Sequence, residues 1–170
     1  IVYFNKGGNF GDGAFSGCTA LTELVIPQLE TYNSDFNAGS SRHNIINLFG
    51  SKEECKLEKI TVTNGTVLSV DEFNGIVTLK EVVLPDTITT IDSRAFSGCS
   101  SLEIIDLPSS VIIIGDRAFE GCTNIPEIII PEKTETIGSY AFSGCEGISE
   151  IKVPDSVNKI GYNAFENCTS

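Results

Sequence analysis

Ala95-Phe96-Ser97-Gly98-Cys99 returns as Ala118-Phe119-Glu120-Gly121-Cys122, then as Ala141-Phe142-Ser143-Gly144-Cys145, then as Ala164-Phe165-Glu166-Asn167-Cys168, each copy 23 residues after the last. An earlier copy stands at Ala14-Phe15-Ser16-Gly17-Cys18. Self-similarity at a fixed period in the twenties marks a solenoid, in which each unit buries its apolar face only against its neighbours.

Outward from the Cys, one unit runs Leu102 to Pro108, Ser109 to Gly115, then Asp116 to Cys122. Ile105 and Leu107 alternate as in a strand with one buried face. Pro108 has no amide donor, so the strand ends there and the chain turns; Pro27, Pro85, Pro131 and Pro154 repeat it. Val111 and Ile114, matched by Ile88/Ile91 and Val157/Ile160, face inward from a second short strand. The stretch from Asp116 to Gly121 is too short for an α-helix and reads as one helical or 3-10 turn. Phe119 points inward from it, and Gly121 permits the left-handed conformation that starts the return. Stacking then sets Phe15, Phe73, Phe96, Phe119, Phe142 and Phe165 in one core column. Each buried Phe or Ile stabilises by roughly 1.5–3 kcal/mol through removal of apolar surface from water.

The same register exposes irregular parts. The unit with Phe73 has Glu72 for Ala and Ile76 for Cys, and Thr63 stands where Pro is expected. An irregular, polar, turn-rich insertion is expected over about residues 31–50. Cys18, Cys99, Cys122, Cys145 and Cys168 share one repeat position, whereas Cys55 falls off it. Rungs about 4.8 Å apart allow these sulfurs to approach. Parallel Cβ vectors do not suit the disulfide torsion, so they read as buried thiols. The whole chain, 1–170, reads as a single domain of six to seven 23-residue repeats, partial at both ends. Met is absent and Ile1-Val2-Tyr3 looks like the remnant of a preceding strand, with Tyr3 aligned to Leu84. The expectation is a mature product or shortened chain whose parent array continues at one end or both.

The net charge of −12 repels nucleic acid and anionic membrane surfaces. No apolar run approaches the roughly 18 residues of a membrane helix. The lone His43 lies in the insertion, beside Arg42, with no spacing that makes a catalytic triad. No zinc-ligand spacing or phosphate-cradling motif occurs, and Gly7-Gly8-x-x-Gly11-x-Gly13 precedes a turn rather than a helix. No catalytic residue, cofactor or metal ligand is predicted.

The pattern Ile-Gly-x-x-Ala-Phe-x-Gly-Cys-x-x-Leu-x-x-Ile-x-Leu-Pro-x-Ser-Val, carried from Ile91 to Val111, Ile114 to Pro131 and Ile137 to Pro154, resembles the BspA-like class of leucine-rich repeats. The resemblance implies a mostly-β leucine-rich-repeat solenoid. It would be a right-handed superhelix with a parallel β-sheet on its concave side and short helical or 3-10 turns opposite. It also implies a surface or secreted location and adhesion toward a host protein, matrix or neighbouring cell. It carries no catalytic residues and fixes no ligand site.

The solvent-facing strand positions are the candidate site. One column holds Glu23, Lys59, Glu81, Ile104, Glu127 and Glu150; the next outward-facing one holds Val25, Thr61, Val83, Asp106, Ile129 and Lys152. Like charges stacked across neighbouring strands destabilise, which predicts compensation by a cation or basic ligand. An acidic row beside exposed Val and Ile resembles an interaction surface. Glu23, Lys59, Glu81, Ile104, Glu127, Ile129, Glu150 and Lys152 are therefore the candidate partner-binding residues. The expected function is a non-enzymatic extracellular or cell-surface module binding a protein or glycan, without membrane insertion. The alternative is a structural spacer within a longer array.

Overall fold

A computed structural model describes residues 1–4, 11–27 and 45–169 of the chain. Its short strands are β1 (Val2–Tyr3), β2 (Glu23–Ile26), β3 (Lys59–Val62), β4 (Val67–Leu68), β5 (Glu81–Val83), β6 (Thr90–Ile91), β7 (Ile104–Ile105), β8 (Ile113–Ile114), β9 (Thr136–Ile137) and β10 (Lys159–Ile160). They form two parallel sheets, ordered β1-β2-β3-β5-β7 and β10-β9-β8-β6-β4. From β3 onward the two sheets draw on alternate strands of the chain until the first sheet stops at β7. The result is a mostly-β solenoid with almost no helix, the architecture expected from the period.

The register follows the sequence period. Glu23 lies beside Lys59, Lys59 beside Glu81, and Glu81 beside Ile104, while Leu24, Ile60, Val82 and Ile105 line the buried face one residue on. Tyr3 pairs with Val25, and Val25 lies in register with Thr61 and Val83, so Tyr3 matches Val83 rather than Leu84. The one-residue slip arose because Leu84, although partly buried, lies just beyond the end of β5.

From the turn segments an aromatic spine enters the core. Phe73, Phe96, Phe119, Phe142 and Phe165 stack at centroid spacings of 5.2–5.6 Å with interplanar angles of 21° or less. Four of these five rings, all but Phe165, are fully buried. The period did not reveal a further buried ring, Phe49, which packs 5.6 Å from Phe15 at a tilt of 50°. Phe15 donates its amide to the Leu48 carbonyl, as Phe96 donates to Ala118, so Leu48-Phe49 occupy the Ala-Phe positions of a rung. Residues 45–50, read as the end of the insertion, thus belong to the stack of rungs, with Ile45 donating its amide to the Glu72 carbonyl of the next one. Ile45–Phe49 is a 3-10 helix with Ile45, Ile46, Leu48 and Phe49 buried. The repeat was masked because Leu48 replaces Ala, and Cys55 follows Phe49 by six residues instead of three. Residues 31–44, with Arg42 and His43, lie outside the described residues, as do Gly7 and Gly8.

The segments carrying the spine are tight turns, with Ile45–Phe49 the 3-10 helix among the described residues. Each turn places two residues in the left-handed region four positions apart, such as Arg94 (φ 57°) with Gly98 (φ 73°), or Tyr140 (φ 58°) with Gly144 (φ 74°). Those two positions break helical continuity and release alternate amides toward the next rung. Phe96 then donates to Ala118 at 2.8 Å and Gly98 to Glu120 at 2.7 Å, and the pattern repeats down the stack. The turns therefore form a hydrogen-bonded ladder of their own. Gly has no side-chain penalty in this conformation, whereas Arg and Tyr pay one.

Candidate functional site

The outer face of the first sheet is where the candidate residues sit. Glu23 opens β2, Lys59 opens β3 and Glu81 opens β5, all half-buried and directly adjacent across the ladder. The Lys59 ammonium donates to the Glu81 carboxylate at 2.7 Å. That hydrogen bond, with the charges of Glu81 and Glu23, holds Lys59 above the ordinary lysine range. The expected run of uncompensated carboxylates is thus corrected: in this half of the sheet Lys59 lies between two Glu and supplies the counter-charge itself. A parallel pair beside it joins Lys80 to Glu58 at 3.3 Å.

Beyond β7 the sheet stops, and the rung that follows carries a proline at the donor position. In each preceding rung two consecutive amides reach back to one carbonyl: Glu58 and Lys59 to Thr22, Lys80 and Glu81 to Glu58, Glu103 and Ile104 to Lys80. The next pair in register is Pro126 and Glu127. Proline has no amide hydrogen and restricts the residue before it. No backbone bond joins Glu127 to Glu103, and residues 127–130 are not a strand. The second sheet has no proline at the equivalent position and runs on through β9 and β10. Glu127, Ile129, Glu150 and Lys152 therefore lie on segments outside the ladder, all exposed. Glu150 and Lys152 form a loose 3.8 Å pair in full solvent, a geometry that contributes little.

The interruption changes the surface. Ile105, Asp106, Leu107, Glu127 and Ile129 line a cleft of about 250 Å³. Ile129 is 72% exposed at its edge, and Ile104, at the end of the neighbouring column, is 55% exposed. The structure thus divides the predicted residues into two groups. Glu23, Lys59 and Glu81 form one charge-balanced cluster. Glu127 and Ile129 belong to the cleft, with Ile104 beside it, while Glu150 and Lys152 lie one rung further. Sequence reasoning missed Pro126, the residue that separates the groups. Its signal was a proline one residue after the repeat's Leu/Ile, a position held by Thr22, Glu58, Lys80, Glu103 and Ser149 elsewhere.

Other candidate chemistry is accounted for by packing. The six thiols are free, with Cys99, Cys122 and Cys145 fully buried and Cys18 exposed. Each column thiol from Cys99 onward donates to the Phe carbonyl of the preceding rung: Cys99 to Phe73, Cys122 to Phe96 and Cys145 to Phe119 at 3.1–3.2 Å, and Cys168 to Phe142 at 3.3 Å. A small apolar group that also donates explains the recurring Cys. Burial pushes the Cys99 and Cys145 thiols up to about 12 and Cys122 well above its usual value, so these sulfurs remain protonated. No group of metal-binding side chains occurs among the described residues. Nor is any helix among them long and apolar enough to cross a membrane.

Glu72 is the exception to apolar packing. It holds the Ala position of its rung and is 1% exposed. Its Oε2 accepts the Ser69 amide at 2.7 Å, while its Oε1 has no partner. Burial pushes this carboxyl up to about 7. On the turn side, Arg94 makes a two-pronged bond to Asp71 at 2.7 Å, and the Arg117 guanidinium lies 4.6 Å from the centre of the Tyr140 ring.

Similarity to known proteins agrees with this architecture. The chain superposes on a leucine-rich repeat protein of T. pallidum (TM-score 0.64, 30% identity, 68% of this chain and 56% of that one). It also superposes on a leucine-rich repeat protein of Bacteroides ovatus (TM-score 0.63, 29% identity, 94% and 50%). A third, from Eubacterium ventriosum, shares the fold at 24% identity and TM-score 0.52, over 92% of this chain and 33% of that one. The chain thus spans about half the length of the first two, or less of the third. No curated protein matches it. Six copies of the BspA type leucine rich repeat region match residues 46–170. With that match over most of its length, on a stack of rungs sharing one aromatic spine, the chain belongs to the BspA type leucine-rich repeat family.

Proposed function

We propose that this chain is a non-enzymatic binding module of an extracellular or cell-surface protein, engaging a protein partner through the outer face of its first sheet. The observation that carries the reading is the row of large apolar side chains exposed there among carboxylates. Val83 is 41% exposed, Ile104 55% and Ile129 72%. Isolated exposed apolar residues are ordinary, but several aligned along one rigid face suit a desolvated interface centre with a polar rim. Glu23, Glu81, Glu127, Glu150 and Asp106 bias that face toward basic partners, and Lys59 and Lys152 set its pattern. Family membership supports a binding role, since these repeat proteins are often surface proteins.

The test is a binding panel of immobilised matrix proteins and glycans at two salt concentrations. Binding that weakens with salt, is lost in an Ile104→Asp/Ile129→Asp variant and persists in Tyr162→Ala on the turn side supports the reading. A partner retained by the first variant and lost by the second places the interface on the turns and overturns it. A panel with no binder at all, glycan or protein, favours the spacer role, which the continuous backbone ladder of the turns also suits.

A further inference from the structure

We propose that the cleft opened by Pro126 is a socket for one basic side chain, arginine or lysine, presented by the protein partner. The inference rests on the binding role of the first sheet and adds what that face recognises. Three independent features meet at this point. The ladder that closes every earlier rung of the sheet is absent between Ile105 and Glu127, so the sheet surface is open there. The opening has apolar walls, Ile105, Leu107 and Ile129. Two carboxylates, Asp106 and Glu127, also line it.

The charge differs from that at β3 and β5. Glu81 is neutralised by Lys59 and Glu58 by Lys80. Among the ion pairs of the described residues, none engages Asp106 or Glu127. The site therefore sets apolar side chains beside uncompensated negative charge. Arginine and lysine match that combination: an alkyl stem that packs on apolar surface and a cationic head that takes charge-assisted hydrogen bonds. A neutral apolar side chain would leave the carboxylates without a counter-charge, and an acidic one would be repelled. A bare cation would leave Ile129 in water.

Backbone-amide NMR of the full chain tests this with four probes: N-acetyl-arginine amide, N-acetyl-lysine amide, N-acetyl-norleucine amide and guanidinium ion. The expected result is saturable movement of the Asp106, Glu127 and Ile129 signals with one or both basic amides. Norleucine amide, stem without charge, and guanidinium, charge without stem, should bind about tenfold more weakly or worse. Asp106→Asn and Glu127→Gln should each weaken binding several-fold, while Glu150→Gln leaves it unchanged. Pro126→Ser, which restores the missing donor, should protect the Glu127 amide from exchange and abolish the site. Movement spread over all acidic residues, or binding indifferent to Asp106→Asn and Glu127→Gln, would overturn the proposal. The two readings fail separately. A panel partner lost on Ile104→Asp/Ile129→Asp but untouched by Asp106→Asn/Glu127→Gln leaves the face standing and removes the socket.

Discussion

Glu72 offers the sharpest quantitative test of how the stack is held together. Every other regular rung has Ala at this position, and here a carboxyl is enclosed with one oxygen on the Ser69 amide and the other unpartnered. Desolvation raises it from 4.5 to about 7. A group whose folded value lies above its unfolded one holds its proton in the fold while the unfolded chain releases it. Its contribution is intact below pH 4.5, declines as pH rises, and is fully lost above about 7. At about 1.36 kcal/mol per pH unit the whole loss is roughly 3 kcal/mol, of which about 2 kcal/mol falls between roughly pH 5.5 and 8.5. Glu72→Gln retains an acceptor for Ser69 and cannot ionise. Urea unfolding followed by circular dichroism, for both proteins across that window, isolates the term as a difference, since the remaining carboxylates are common to both. The expected outcome is a variant that gains on the parent by about 2 kcal/mol from the acid to the alkaline end. A constant difference, or one that shrinks as pH rises, would show that Glu72 is solvated and refute the reasoning.

Phe119→Ala should destabilise by about 3–5 kcal/mol, since the ring is fully buried between two stacked neighbours, whereas Phe165→Ala, half-buried with Phe142 as its stacked neighbour, should cost distinctly less in the same urea assay. Equal losses would mean that the spine is not the source of stability. Gly138→Ala should cost about 1–3 kcal/mol or more, because its Cβ would meet the Asp116 amide nitrogen at 2.5 Å, and rungs cannot separate without breaking the second sheet. An unchanged melting temperature would contradict that close approach. In a thiol-reagent titration Cys18 should react at once and Cys168 more slowly, with Cys55, Cys99, Cys122 and Cys145 silent until urea unfolds the chain. Rapid modification of all six in the native state would exclude the buried column.

Most of the core was legible because it repeats. A position that returns in phase with the same size and polarity has the same surroundings each time, so Phe96, Phe119 and Phe142 could be placed without coordinates. The failures came where phase is broken or where one-dimensional pattern hides a partner. Phe49 escaped because its rung carries Leu48 for Ala and a longer path to Cys55, although the fold buries it fully against Phe15. The acidic row was visible as letters, but not the Lys59 bond that neutralises its middle. Arg94, Arg117 and Tyr140 gave no hint that they adopt left-handed backbone conformations, because only glycine advertises that freedom.

Period, buried column and family resemblance were fixed by sequence alone, since solenoid packing is local: each rung meets only rungs one period away. The extent of each sheet was a tertiary matter. A missing amide at Pro126 matters only because three earlier rungs place a carbonyl opposite that position, and such opposition exists only once the chain has coiled. The same holds for Glu72, an ordinary polar residue in the string and a desolvated acid in the stack. Charge and burial become free energy only when neighbours from other rungs supply or withhold their partners.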